Sequence, residues 1–156
     1  MKTLILGMGN DLLADDAVGL KVVRKLRETV RSPDVEVKET CLASLELLDL
    51  LAGFDRAILV DAIQTGTGEV GDVYLLSPSD LGDGSTPVSL HHVDLPTVLA
   101  IGDSLGIQMP KDVRVIAVEA RDVSTFGGEC CAEVMAAIPK ILDLVHDELS
   151  AATSQG

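Results

Sequence analysis

Within its first sixty residues the chain passes from a strand-like run to a helix-like segment and back twice, and that alternation leaves few architectures open. Thr3 to Leu6, Val35 to Lys38 and Ala57 to Val60 are short, β-branched or Leu-rich, and end at turn signals. Between the first two, Val18, Val22, Leu26 and Val30 recur at helical spacing behind the acidic pair Asp15 and Asp16, whose charge suits the positive end of a helix. A second helix is expected over Ser44 to Leu51. Strand, helix, strand, helix, strand in this order implies a parallel sheet with right-handed crossovers and helices on both faces.

Two further strands are predicted, Val73 to Leu76 and Val113 to Val118. Only about a dozen residues, rich in Gly and Thr, separate Asp61 from the fourth strand, too few for a crossover helix, so that strand is expected to run antiparallel. The predicted fold is therefore α/β, a three-layer α/β/α sandwich with a mostly parallel, mixed five-stranded sheet. Asp94 reads as the cap of a third helix, with Pro96 in its first turn and Leu95, Val98, Leu99 and Gly102 along one face. A last helix begins near Ala132 and carries the stripe Val134, Ile138, Ile141, Leu142, Val145 and Leu149. Pro139 inside it lacks an amide donor and is expected to kink or break it. Ser77 to Leu90, with Gly82, Gly84 and Pro87, reads as a long loop of the kind that often carries function. The length of 156 residues suits one domain over 1–150, and 151–156 read as a disordered tail.

Charge excludes whole classes of partner. The net charge of −13 repels phosphate backbones and anionic lipid, which argues against nucleic acid and membrane surfaces and favours a cationic partner. With two Phe, one Tyr and no Trp, the chain has little with which to stack on bases, and its core must be aliphatic. No apolar run approaches the roughly 20 residues that span a bilayer, and Met1-Lys2 leads directly into the first strand rather than into a signal segment, so a cytoplasmic location is expected. Cys41, Cys130 and Cys131 are odd in number and lack the spacing of a structural zinc site, so they read as reduced thiols.

In open α/β sheets ligands collect beyond the carboxyl ends of the strands. Three segments place reactive side chains there. The first is the run from Gly7 to Gly19, Gly-Met-Gly-Asn-Asp-Leu-Leu-Ala-Asp-Asp-Ala-Val-Gly, between the first strand and the first helix. It is a poor dinucleotide loop: Leu12 stands where the third glycine of G-x-G-x-x-G belongs, and two acids face the place of a pyrophosphate. The second is Asp61, an acid at the end of an apolar strand; alone it reads as a cap or a salt-bridge partner, since burial without a partner would cost several kcal/mol. The third is His91-His92, just ahead of the Asp94 cap, where a lone histidine is usually structural. Topology brings the three segments to one edge of the sheet. Two carboxylates and an imidazole then converge, a donor set that suits nickel, zinc, iron or manganese and leaves coordination positions open.

At these segments the chain resembles the [NiFe] hydrogenase maturation endopeptidases. The resemblance rests on Gly7-Met8-Gly9-Asn10 with Leu12, Asp15, Asp16 and Gly19, on Val60-Asp61-Ala62, and on His91 with Leu95; Val93 to Thr97, Thr125-Phe126 and Glu129-Cys130 match one subgroup. It implies a protease that trims a C-terminal extension from the hydrogenase large-subunit precursor after nickel insertion, with Asp16, Asp61 and His91 as metal-contacting and catalytic positions. The nickel would be supplied by the substrate rather than held by the free enzyme, and a water would be activated by a carboxylate or by the metal. Two departures stand out. Glu39 to Ser44 replaces the Gly-Thr-rich turn of many relatives, and Asp16 stands where some have Glu. His92 competes with His91 for the ligand role.

Other readings of the same residues differ in what they predict. Gly7, Gly9 and Asn10 either meet the substrate backbone or, for the glycines, serve tight turns and close helix packing. Cys41, behind a strand, could act as a nucleophile, although no triad pattern accompanies it. Cys130 and Cys131 read as small packing residues and His146 as a surface residue. A non-enzymatic nickel carrier using the same three ligands would bind metal stoichiometrically without proteolysis.

Overall fold

Strand β1 (Thr3–Met8) lies between β2 (Val35–Thr40) and β3 (Arg56–Ile63) and runs parallel to both. β5 (Asp112–Glu119) continues the parallel set beside β3, and β4 (Val73–Leu76) closes the sheet antiparallel to β5. The order is β2-β1-β3-β5-β4, a mixed five-stranded sheet with its one antiparallel strand at the edge. The short Gly- and Thr-rich connection behind β3 leaves room only for that reversal. The computed structural model describes residues 1–41, 45–81 and 94–154.

Side-chain alternation along the strands divides the core in two. Leu4, Leu6, Met8, Ala57, Leu59, Ile63, Val113 and Val115 face α2 (Glu46–Leu51) and α3 (Leu95–Ser104), packing against Leu47, Leu51, Leu95 and Val98. Ile5, Ile58, Val60, Ile116 and Val118 face α1 (Val18–Thr29) and α4 (Ala132–Thr153), meeting Val18, Val22, Leu26, Val134, Ile138 and Ile141. This is the three-layer α/β/α sandwich expected from the pattern, with a core of aliphatic side chains and Phe54 as its buried phenylalanine. At the amino ends of the strands the buried Arg56 ties β3 to Asp112 at 2.7 Å and to Glu148 of α4. Among the described residues, no helix is long and apolar enough to cross a membrane.

The elements differ from the sequence expectations mostly at their ends. β1 runs on through Gly7 and Met8, because the ladder with β2 continues to Met8↔Thr40; Gly7 is thus a strand residue, not a loop residue. Asp61 does not end β3, which pairs with β5 as far as Ile63↔Glu119. α2 begins at Glu46, and residues 42–44 lie outside the described set. Pro78–Leu81 form a 3-10 turn inside the segment expected to be loop. Pro139 does not break α4. It sits on the exposed side of the helix, and the carbonyl that loses its donor belongs to Met135, a residue itself exposed, where water can hydrate it. α4 also extends through Thr153, into the residues expected to form a tail, because its apolar stripe keeps the helix seated as far as Leu149 and the last turns add hydroxyl bonds from Thr153 to Leu149 O and Ser154 to Ser150 O.

Candidate active site

Close backbone packing at three glycines creates the edge on which the acids sit. A Cβ on Gly19, in the first turn of α1, would stand 2.4 Å from Met8 O and 2.5 Å from Val60 O, so the start of the helix rests directly on the ends of β1 and β3. A Cβ on Gly7 would stand 2.4 Å from Gly19 O and 2.5 Å from a methyl of Val23. One on Gly9 would stand 2.0 Å from Asp16 O, which presses the chain leaving β1 against the 3-10 turn Ala14–Ala17. Gly7 and Gly9 are buried, in keeping with the packing role, whereas Asn10 is half-buried and its Oδ1 accepts the Leu12 amide at 2.9 Å.

That packing sets Asp16 and Asp61 on one edge of the sheet. Gly7 pairs with Val60, so Asp61 stands one residue beyond the last β1–β3 pair, and the 3-10 turn carrying Asp16 packs on β3. Asp16 is 1% and Asp61 0% exposed. The Asp61 Oδ1 accepts the Ala62 amide at 2.7 Å. By strand parity Asp61 shares the side of β3 that carries Leu59 and Ile63, the side covered by α3. Helix α3 starts at the cap Asp94, which accepts the Thr97 amide at 3.2 Å as the sequence predicted. His91 and His92 lie outside the described residues. Among the described residues no three His, Cys, Asp or Glu side chains are grouped to hold a metal ion.

Asp15, read from the sequence as a partner of the helix dipole and as part of the resembling motif, also organises the loop. Its carboxylate accepts backbone amides from Arg121 at 2.8 Å, Asp122 at 3.0 Å and Cys131 at 2.7 Å, and its own amide donates to Asp122 O at 2.9 Å. Burial pushes its acidity in the unfavourable direction, but the three amides and the Cys131 thiol outweigh it and hold the carboxyl below its usual range. The turn beside Asp16 is thereby pinned to the segment between β5 and α4. The same segment meets the loop a second time, through a bridge between Leu13 and Phe126 and a 2.8 Å bond from Gly127 N to Leu12 O. Ala14, at φ 39, takes a left-handed conformation that these contacts hold in place.

On its outer side the loop is clamped by Arg24. Its guanidinium donates to both Asp11 oxygens, at 3.0 and 2.7 Å, and to both Glu39 oxygens at 3.0 Å, joining the loop, α1 and the end of β2. The Arg24 hydrogen bonds hold both carboxyls below the ordinary carboxylate range. Local pattern could not reveal Asp15 or Arg24 as organisers, since their partners are distant in the chain. Cys41 is exposed, whereas Cys130 and Cys131 are half-buried, with their thiols on Ala14 O and the Asp15 carboxylate. His146 is exposed. A cleft of about 690 Å³ opens at the opposite, amino-terminal end of the strands, lined by Thr3, Asp34, Val35, Asp112 and Leu149, and includes neither site acid.

Known proteins share both sequence and architecture with this chain. A family model described as hydrogenase maturation protease matches residues 20–148. The hydrogenase expression/formation protein HupD of Bradyrhizobium diazoefficiens is 30% identical over 152 residues, covering 96% of this chain and 78% of that protein. The hydrogenase 2 maturation protease of Escherichia coli K12 is 32% identical over 120 residues, covering 76% of this chain and 73% of that one. The solved structure of the hydrogenase maturating endopeptidase HybD from E. coli superimposes with a TM-score of 0.83 at 28% identity, over 97% of this chain and 94% of that one. With its sheet order, its glycine-packed carboxyl edge and these relatives, the chain belongs to the hydrogenase maturation protease family.

Proposed function

We propose that this protease removes a C-terminal extension from the large-subunit precursor of a [NiFe] hydrogenase once nickel has been inserted, and that Asp16, Asp61 and His91 read the nickel held by that substrate. The observation that carries the reading is the pair of buried carboxylates, Asp16 and Asp61, delivered to one sheet edge by the close approach of Gly19 to Met8 and Val60.

Two carboxylates and one imidazole form a weak, incomplete ligand set. Weakness suits the task, because a site that held nickel tightly by itself could not distinguish a loaded precursor from an empty one. A metal carried by the substrate completes its coordination with these three side chains and so orients the adjoining peptide for hydrolysis. Asn10, whose side chain caps the Leu12 amide, fixes the loop along which the substrate backbone passes. A nickel carrier would employ the same ligands without cutting, and membership of a protease family favours the enzyme. The cell compartment that fits this role is the cytoplasm.

The test is co-expression with a candidate precursor in the presence and absence of nickel, followed by mass measurement of the large subunit. Nickel-dependent loss of a short C-terminal peptide is expected; an unchanged mass under both conditions counts against the reading.

A further inference from the structure

Glu119, at the carboxyl end of β5, is a buried acid to which the cleavage reading gives no task; it is 3% exposed. A carboxylate in such a place is costly unless donors surround it. Here the donors come from β4 and the connection that leads to it from β3. Glu119 Oε2 accepts the Thr65 amide at 2.9 Å, and Oε1 accepts the hydroxyls of Thr65 and of Tyr74, the latter at 3.1 Å. The Thr65 hydroxyl oxygen in turn accepts the Thr67 and Gly68 amides at 3.2 and 3.0 Å, so the turn winds around this one contact. It closes so tightly that a Cβ on Gly68 would run into Tyr74 Oη and the Glu119 carboxylate. The Glu119 backbone holds the far end of the same connection, accepting the Gly71 amide and donating to Asp72 O, each at 2.8 Å.

That connection starts just beyond Asp61. The ladder of β3 with β1 reaches Gly7↔Val60, whereas the ladder with β5 runs on through Asp61↔Ala117 to Ile63↔Glu119. From Asp61 onward β3 leans on β5, and Glu119 fastens the end of that stretch at Thr65. By strand parity Glu119 projects on the same side of the sheet as Asp61, the side that carries Val113, Val115 and Ala117. Tyr74 pairs with Ala117 from the other flank, so Asp61, Ala117 and Tyr74 form one row across the sheet. We propose that Glu119 is a positioning residue, which fixes through Thr65 and Tyr74 the part of β3 that carries Asp61. The inference rests on the nickel-reading role of Asp61. A weak ligand set tolerates little displacement, and the groups behind the ligands supply the rigidity.

Single-turnover cleavage at saturating nickel-loaded precursor gives the rate, and calorimetry gives the precursor Kd. Glu119→Gln and Thr65→Val, the second removing a hydroxyl at nearly constant shape, are each expected to slow cleavage about tenfold with Kd unchanged, and Thr65→Ser to restore the rate. In an Asp61→Ala background neither Glu119→Gln nor Thr65→Val is expected to slow cleavage further, because both act through Asp61; a residue that served the fold alone would slow it again. The free protein gives a second readout: the NMR signal of the Ala62 amide, which donates to Asp61 Oδ1 at 2.7 Å, should move in Thr65→Val and return in Thr65→Ser. Should Glu119→Gln fail to fold, Thr65→Val carries each measurement. Full rate in the folded variants beside a slow Asp61→Ala overturns the proposal and leaves the reading of the site intact. An equal further slowing in the Asp61→Ala background, or an unmoved Ala62 signal, does the same. Full rate in Asp61→Ala itself removes that reading and the proposal with it.

Discussion

The carboxylate of Asp15 accepts the backbone amide of Cys131 at 2.7 Å, joining the turn before α1 to the start of α4 across most of the chain. With the amides of Arg121 and Asp122 on the same side chain, this contact holds the loop beside Asp16 in its conformation. Asp15→Ala would leave three amides without their charged acceptor in a place where Asp15 is 1% exposed. A loss of about 3 kcal/mol is expected, read as a lower urea midpoint. Because the turn carries Asp16, cleavage should fall as well, even at temperatures where the variant is fully folded. A variant as stable as the wild type would contradict the pinning role.

Gly19 has no room for a side chain. Its Cβ would meet two carbonyl oxygens, Met8 O and Val60 O, neither of which can rotate away. Gly19→Ala is expected to lower stability by about 2–3 kcal/mol as α1 is pushed off the strand ends. Thermal unfolding measures this, and a Tm within error of the wild type would show that the helix start is not seated as described.

Acid should weaken the protein through identifiable groups. The amides and hydroxyls of Ser124 and Thr125 hold Asp122 at about 2, below its ordinary 3.8, and Arg24 holds Asp11 and Glu39 low. A carboxyl that is more acidic in the folded state stabilises the fold above its unfolded value and ceases to do so as pH falls through the folded one. The Asp122 contribution is therefore complete above about pH 4 and lost toward pH 2. Asp122→Asn keeps an acceptor but does not titrate, so the drop in Tm over that interval should shrink; Arg24→Gln should shrink the part belonging to Asp11 and Glu39. Parallel Tm curves for wild type and both variants would refute the assignment.

The cysteines should separate by reactivity. Cys41 is exposed, whereas burial raises the Cys130 and Cys131 thiols out of the reactive range. Limited iodoacetamide at pH 7.5 should label Cys41 first, as peptide mass spectrometry would show, and leave cleavage unchanged. Loss of activity in step with Cys41 labelling would revive the nucleophilic cysteine.

Much of this organisation was legible in the sequence because its signals are local. The stripe Val18, Val22, Leu26, the Asp94 cap and the short β3–β4 connection each follow from spacing alone, and together they give the layers and the antiparallel edge. What pattern could not supply is pairing across the chain. The ladders that carry β1 through Gly7 and β3 past Asp61 depend on neighbours, so both strands outlast their apolar runs. Asp15 and Asp16 are adjacent and chemically identical, yet one accepts amides from residues 121–131 and the other is buried in the turn that packs on β3; only the folded arrangement separates them. Pro139 departs from its expectation for a related reason, since its cost depends on which side of α4 meets water.

The most direct test uses purified components: single-turnover cleavage of nickel-loaded and nickel-free precursor by the wild type, Asp16→Ala, Asp61→Ala and His91→Ala. The account predicts that only the loaded precursor is cut by the wild type and that each substitution slows the cut by about a hundredfold or more, as expected when a group that acts on the transition state is removed. Wild-type rates that ignore nickel, or full activity in all three variants, would contradict it.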